Sequence, residues 1–256
     1  MGFFPLFFVV IAGGAVSSQA YGAGTINFYG SVAEALSLDG RYEPVLASLL
    51  ASVALWWVAF GFERSVLRDL KKDRPVPEGR FSLRAFVEMI MDLVYSLTKE
   101  QCGAGYRNYL PLMASIFFFV LFNNLSGLVP GLPPATEHFS MNLSLGLLVF
   151  LCYNYAGLKE HGVGYFKQFL GPVLAMAPLF IFLEVISHGV RPASLAFRLT
   201  ANIFGDHMLL GVFAGMVPLV VPAALMVFGL LVACIQTFVF TMLTSIYISM
   251  AISHDH

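Results

Sequence analysis

Arg198 is a cation with no anion in its own stretch of sequence. It lies in Ser194-Leu195-Ala196-Phe197-Arg198-Leu199-Thr200-Ala201-Asn202, and residues 203–210 are mostly apolar again. A charged side chain at mid-membrane depth costs at least about 2.5–3.5 kcal/mol even on lenient insertion scales, so such a residue faces a protein interior or a water-filled path. The nearest acids in sequence, Glu184 and Asp206, stand about 21 and 12 Å away along a helix rising about 1.5 Å per residue. An anionic partner is therefore expected on another chain. The chemistry indicated is ion handling rather than bond making.

Other groups that can hold or pass a proton lie close by. On a helix turning about 100° per residue, Glu184, Ser187, His188, Arg191, Ser194, Arg198, Asn202 and Asp206 share one face about 120° wide. A polar stripe inside a bilayer must meet water, a partner or the polar groups of another helix. By the same phase His207 points to the opposite side, while Gln236 sits alone at mid-depth in the last apolar stretch. Each group also has a plainer reading. Glu184 and His188, four apart, can satisfy each other, and Asn202 or Gln236 can be a hydrogen bond between helices. Glu137 and His138 fall in a loop and are read as solvated, and Asn123-Asn124 as the end of a span. Arg198 lies too far from any basic loop to snorkel out.

The elements that must position these residues follow from composition. Of the 256 residues 58% are hydrophobic and 11% charged, and the mean hydropathy is +0.80. Soluble domains carry about 25% charge, so the expected fold is an all-α polytopic membrane protein with about five membrane helices and a lipid-covered exterior. The net charge of −1 says nothing about nucleic acid, and no basic block with interleaved aromatics suggests it. Cys102, Cys152 and Cys234 have neither metal-ligand spacing nor a disulfide framework. Residues 1–20 read as a signal peptide or an extra N-terminal helix, with Ser18-Gln19-Ala20 resembling a cleavage site. Residues 21–46 read as an external segment and 47–256 as the membrane channel domain.

Arg64, Arg68, Lys71, Lys72, Arg74, Arg80 and Arg84 crowd the loop after the first span, 47–62, and place it on the cytoplasmic side. Residues 81–99 read as an amphipathic helix on that surface. Spans are expected at 109–128 and 141–158, joined by a cation-free external loop, 129–140. Residues 170–216 are too long for one perpendicular crossing. They contain Pro178 and Pro192, and fit either two crossings broken near Gly189 or one strongly tilted helix. A long apolar helix, 223–250, follows.

The run Pro192-Ala193-Ser194-Leu195-Ala196-Phe197-Arg198-Leu199-Thr200-Ala201-Asn202-Ile203 resembles the signature of subunit a of F-type ATP synthase. The run Gln236-Thr237-Phe238-Val239-Phe240-Thr241-Met242-Leu243-Thr244-Ser245-Ile246-Tyr247 resembles that family's C-terminal pattern, and Glu184 stands where the family keeps an acid. The resemblance covers roughly 45–256. It implies a non-catalytic stator subunit with two offset proton half-channels. Residues 170–250 would be a tilted hairpin against the c-subunit ring, and the C-terminus would be cytoplasmic. Arg198 would face the ring's carboxylates, with Glu184, His188, Asn202, Asp206, His207 and Gln236 as further proton-translocation residues. Implied partners are the c-ring, the b-subunit peripheral stalk and the other F0 and F1 subunits, with no cofactor or metal. From the signal-like N-terminal stretch and the basic loop, the expected setting is the inner membrane of a bacterium rather than of a mitochondrion.

The chain departs from the family pattern twice. His207 occupies a position where bacterial members often carry an acid, and Gly229 one where many carry a titratable His or Glu. Two other function classes lack their signatures here. An intramembrane metalloenzyme would use Glu184, His188 and His207, but no His-Glu-x-x-His is present. A secondary transporter would need an inverted repeat, and none is visible.

Overall fold

The computed structural model describes residues 34, 43–70, 83–129, 132–162, 177–214 and 220–252. The signal-peptide reading of 1–20, most of the external segment, the basic loop over 71–82 and residues 170–176 of the long apolar stretch lie outside the described residues. Among the described residues six α-helices follow one another: α1 Glu43–Leu70, α2 Leu83–Cys102, α3 Tyr106–Ser126, α4 Phe139–His161, α5 Ala177–Ala214 and α6 Val220–Ile252. Short 3-10 turns, Gly103–Gly105 and Ala135–Glu137, precede α3 and α4. Among the described residues there is no strand.

Among the described residues, four helices are long and apolar enough to cross a membrane: Glu43–Gly61 of α1, and α3, α4 and α6. The amphipathic helix expected over 81–99 is α2. It buries Val87, Ile90, Val94, Thr98 and Cys102 at helical spacing and ties its exposed start with an Arg84–Glu88 pair at 2.8 Å. The core lies where α3, α4 and α6 meet, around Met113, Ile116, Val120, Val149, Tyr153, Phe240 and Ile248, with Leu195 and Leu199 of α5 added from one side.

Helix α5 decides the open question of 170–216. It runs unbroken for 38 residues through Gly189 and Pro192, so the two-crossing reading is replaced by one long helix. Proline at 192 removes the hydrogen bond that would end on the His188 carbonyl, and flanking contacts carry the helix past it. Pro192 is buried. A Cβ on Gly146 of α4 would stand 2.6 Å from the Pro192 carbonyl oxygen, so only glycine lets the two backbones approach this closely. At about 1.5 Å per residue α5 is about 57 Å long and α6 about 50 Å, against a hydrocarbon thickness of about 30 Å. Both must run obliquely. Only five residues, 215–219, separate the two in sequence, and so short a link makes α5 and α6 an antiparallel hairpin.

Candidate functional site

The middle of the α5–α6 hairpin holds the first polar contact. Asn202 Nδ2 donates to Gln236 Oε1 at 2.8 Å, and Gln236 is buried. Gln236 is thus not alone at its depth, and the reading of Asn202 and Gln236 as a hydrogen bond between helices holds for both, because they meet each other. Phase on a single helix contains no information about which residues of its antiparallel neighbour stand level with it. Arg198, one turn from Asn202, lies on the exposed side of α5 beside Phe197 and Ala201. Among the described residues it has no hydrogen-bond or ion-pair partner. Leu195 and Leu199, on the other side of the same turns, are fully buried, which fixes the direction in which Arg198 points.

Toward the end that carries the α3–α4 loop, His207 is half-buried between that loop and α5. Its Nδ1 lies 3.3 Å from Glu137 Oε2, and its Nε2 lies 3.3 Å from the Gly127 carbonyl oxygen. The solvated reading of Glu137 is therefore replaced: its side chain is only 17% exposed and meets His207. No local pattern signals the pair, because the 3-10 turn is brought to α5 by tertiary packing. His138, next to Glu137, is pushed below the usual imidazole range by burial, with the Glu137 and Glu43 carboxylates pulling the other way. On the hairpin side, Asp206 Oδ2 lies 3.7 Å from the point a Gly229 Cβ would occupy, and Leu128 also closes on that point. The Leu128 side chain, 3.0 Å away, is the tight neighbour there, while Asp206 stands at ordinary contact distance.

The opposite end of α5 carries the other titratable cluster. His188 Nδ1 stands 3.2 Å from Glu184 Oε1 and 3.1 Å from the Glu184 carbonyl oxygen, the expected pairing four residues apart. The His188 ring is buried, 6.0 Å from the ring of Tyr153. Arg191 also turns inward. Its guanidinium lies over Tyr153 at 5.9 Å and over Tyr247 at 5.4 Å, a cation held by aromatic faces. The single polar face expected from the helical wheel is thus divided: Ser187 and Arg198 are exposed, His188 and Arg191 pack on α4 and α6, and Asn202 and Asp206 face α6.

A second set of polar contacts lies behind the Asn202–Gln236 pair. Asn142 of α4 donates to Thr200 Oγ1 of α5 at 2.7 Å and to the Thr136 carbonyl. Thr136 Oγ1 donates to Asn124 Oδ1 at 3.3 Å, and Asn124 Nδ2 to Thr237 Oγ1 of α6 at 3.4 Å. Asn124 is therefore more than the end of a span; it joins α3 to the helix that carries Gln236. Only the crowding of amides and hydroxyls near span ends hinted at this in the sequence. The metalloenzyme reading loses its ligand set. His188 and His207 sit on one helix at positions about 28 Å apart, near its two ends.

Comparison with known proteins accords with this arrangement. Residues 45–249 match the family model described as ATP synthase A chain. The chain is 46% identical over 182 residues to the ATP synthase subunit a of Bdellovibrio bacteriovorus, covering 71% of this chain and 80% of that protein. It is 45% identical over 167 residues to the subunit a of a Sulfurihydrogenibium species, covering 65% and 81%. It is also 37% identical over 206 residues to the subunit a of a Geobacter species, covering 80% and 89%. The match takes in all six helices apart from their outermost residues, and the chain belongs to the ATP synthase A chain family, the subunit a of F-type ATP synthase.

Proposed function

We propose that this chain is the stator channel subunit of a bacterial rotary ATP synthase, coupling proton flow through two offset half-channels to rotation of a c-subunit ring. The observation that carries the reading is Arg198, a cation on the exposed side of α5 without a partner among the described residues. Its sequence context, and the titratable groups toward both ends of α5, supply what a divided path needs. A proton enters from the outer side by way of His207 and Asp206, passes the Asn202–Gln236 level, and neutralises a ring carboxylate. The neutral carboxyl then turns into lipid at tolerable cost. On arrival at the other path, Arg198 stabilises the carboxylate anion, which lowers its proton affinity. The proton leaves past His188 and Glu184 toward the cytoplasm.

Arg198 also blocks a leak, since a fixed cation repels a second one crossing the same layer. A guanidinium keeps its charge at any working pH and has a planar set of donors for carboxylates, whereas a lysine can give up its proton. The driving force is about 2.3 kcal/mol per proton per 100 mV. No bond is made on this chain; catalysis belongs to the F1 sector. The remaining partners are the b-subunit stalk and the surrounding inner-membrane lipid, and the bacterial origin of the relatives supports that membrane.

The experiment is proton pumping by inverted vesicles that contain the complete enzyme. Arg198→Ala is expected to lose ATP-driven acidification while the F1 sector still hydrolyses ATP, and Arg198→Lys to lose most of the coupling. Full pumping by Arg198→Ala would falsify this reading.

A further inference from the structure

His207 closes on the α3–α4 loop, and the chemistry of its two ring nitrogens limits what the contact can be. The Gly127 carbonyl oxygen near Nε2 only accepts, so Nε2 carries a hydrogen, a tautomer fixed by its partner. A neutral ring then offers a lone pair at Nδ1 to the Glu137 carboxylate, 3.3 Å away, and two acceptors so close repel. The contact is satisfied when one further proton sits between the two. The pair is then imidazolium against carboxylate, or neutral imidazole against carboxylic acid. Side-chain exposures of 28% for His207 and 17% for Glu137 leave the pair reachable by water yet shielded enough for the charges to feel each other.

The surroundings supply a way in and a way on. Toward the loop surface stand His138 and, at the start of α1, Glu43, which line one small cavity with Pro133 and Pro134. Toward the hairpin stands Asp206, facing Gly229. Helix α6 carries no Asp, Glu, Lys, Arg or His, and α3 carries none beyond Arg107 at its far end. The charged and titratable groups at this end among the described residues are therefore Glu43, Glu137, His138, Asp206 and His207.

We propose that Glu137 and His207 form a proton-loading dyad at the mouth of the outer half-channel, with the loop-borne Glu137 as the carboxylate that keeps His207 loaded. The proposal rests on the half-channel reading above. The balance is one proton taken from outer water and one passed on toward the Asp206 carboxylate. The emptied dyad sets a lone pair against a carboxylate, and that repulsion favours refilling from outside. An element that does not cross the membrane thus supplies the acid opposite His207, where α6 has only Gly229.

The test is ATP synthesis driven by an imposed gradient in vesicles holding the complete enzyme, followed as a function of inlet-side pH. Loading is full at low pH and lost as pH rises, and the dyad holds its proton against that rise. Glu137→Gln can satisfy a neutral ring through its amide N–H, so it removes the need for the extra proton. Its alkaline limb is expected to move about one unit toward acid, the size of a typical opposite-charge effect, which is a roughly tenfold loss at the alkaline end. Glu137→Asp is expected to keep most of the wild-type profile. The exchange Glu137→His with His207→Glu is expected to bring the limb back. A Glu137→Gln profile that superimposes on wild type, or falls by one factor at every pH, overturns the dyad, as does an exchange no better than the single change. Arg198→Ala belongs in the same series. If it loses synthesis throughout while Glu137→Gln is unaffected, only the dyad fails. If Arg198→Ala makes ATP normally, the half-channel reading fails and the dyad with it.

Discussion

Two arginines seven residues apart on α5 have opposite surroundings. A seven-residue step brings a helix back to within about 20° of the same direction, so phase does not separate them. Tyr153 and Tyr247 stand level with Arg191 and hold its guanidinium, while Arg198 meets no such group among the described residues. The Asn202–Gln236 bond allows a direct test at this scale. A double-mutant cycle with Asn202→Ala and Gln236→Ala should give a coupling of about 0.6–1.7 kcal/mol in unfolding midpoints, the range for hydrogen bonds between membrane helices. A coupling of zero would mean the two amides do not meet. Arg198 was legible in the sequence because desolvation cost depends only on the charge and its apolar neighbours. Glu137 was not. Its contact is with His207, far along the chain, and a loop carboxylate reads as solvated until packing says otherwise. Gln236 was legible as a hydrogen bond between helices, but not which residue it would meet, for the same reason.

At the scale of elements, the closest approach is between α4 and α5, where Gly146 meets the Pro192 carbonyl. Gly146→Ala would place a methyl group 2.6 Å from that oxygen, and backbone on both sides leaves nothing flexible to give way. The expected result is a loss of assembled complex and a lower melting temperature, with a cost in the overpacking range of about 1–3 kcal/mol. Gly61→Ala, with nothing within 4 Å of the added carbon, should instead gain up to about 1 kcal/mol of helix propensity. Equal effects from the two would overturn the close contact. The helices themselves were readable from apolar runs, but their ends were not. The first span, expected over 47–62, is part of a helix that continues to Leu70, because hydropathy marks where lipid ends and a helix need not stop there. Pro192 left the course of 170–216 undecided, since a proline breaks an isolated helix but is tolerated where neighbouring helices pack around it.

At the scale of the whole molecule, composition was enough for the fold class, because a chain with so little charge has no route to a soluble core. The oblique hairpin was not readable from residues alone, and came only with the family resemblance. Its helices contrast with α3 and α4, of 21 and 23 residues, which are about 32 and 35 Å long and suit a bilayer crossed almost upright. The molecule therefore contains two gauges of membrane thickness. The upright pair has little slack and should feel any change in acyl-chain length, at a fraction of a kcal/mol per Å. The leaning pair can absorb the same change by altering its slope. Since Asn142 ties α4 to α5 and Asn124 ties α3 to α6, a change of slope would strain those bonds. Coupled ATP synthesis in vesicles of graded chain length should peak at one thickness and fall on both sides, and a flat response would mean the two pairs move freely past each other. A peak would make lipid length a setting on coupled synthesis, fixed by how these four helices share one bilayer.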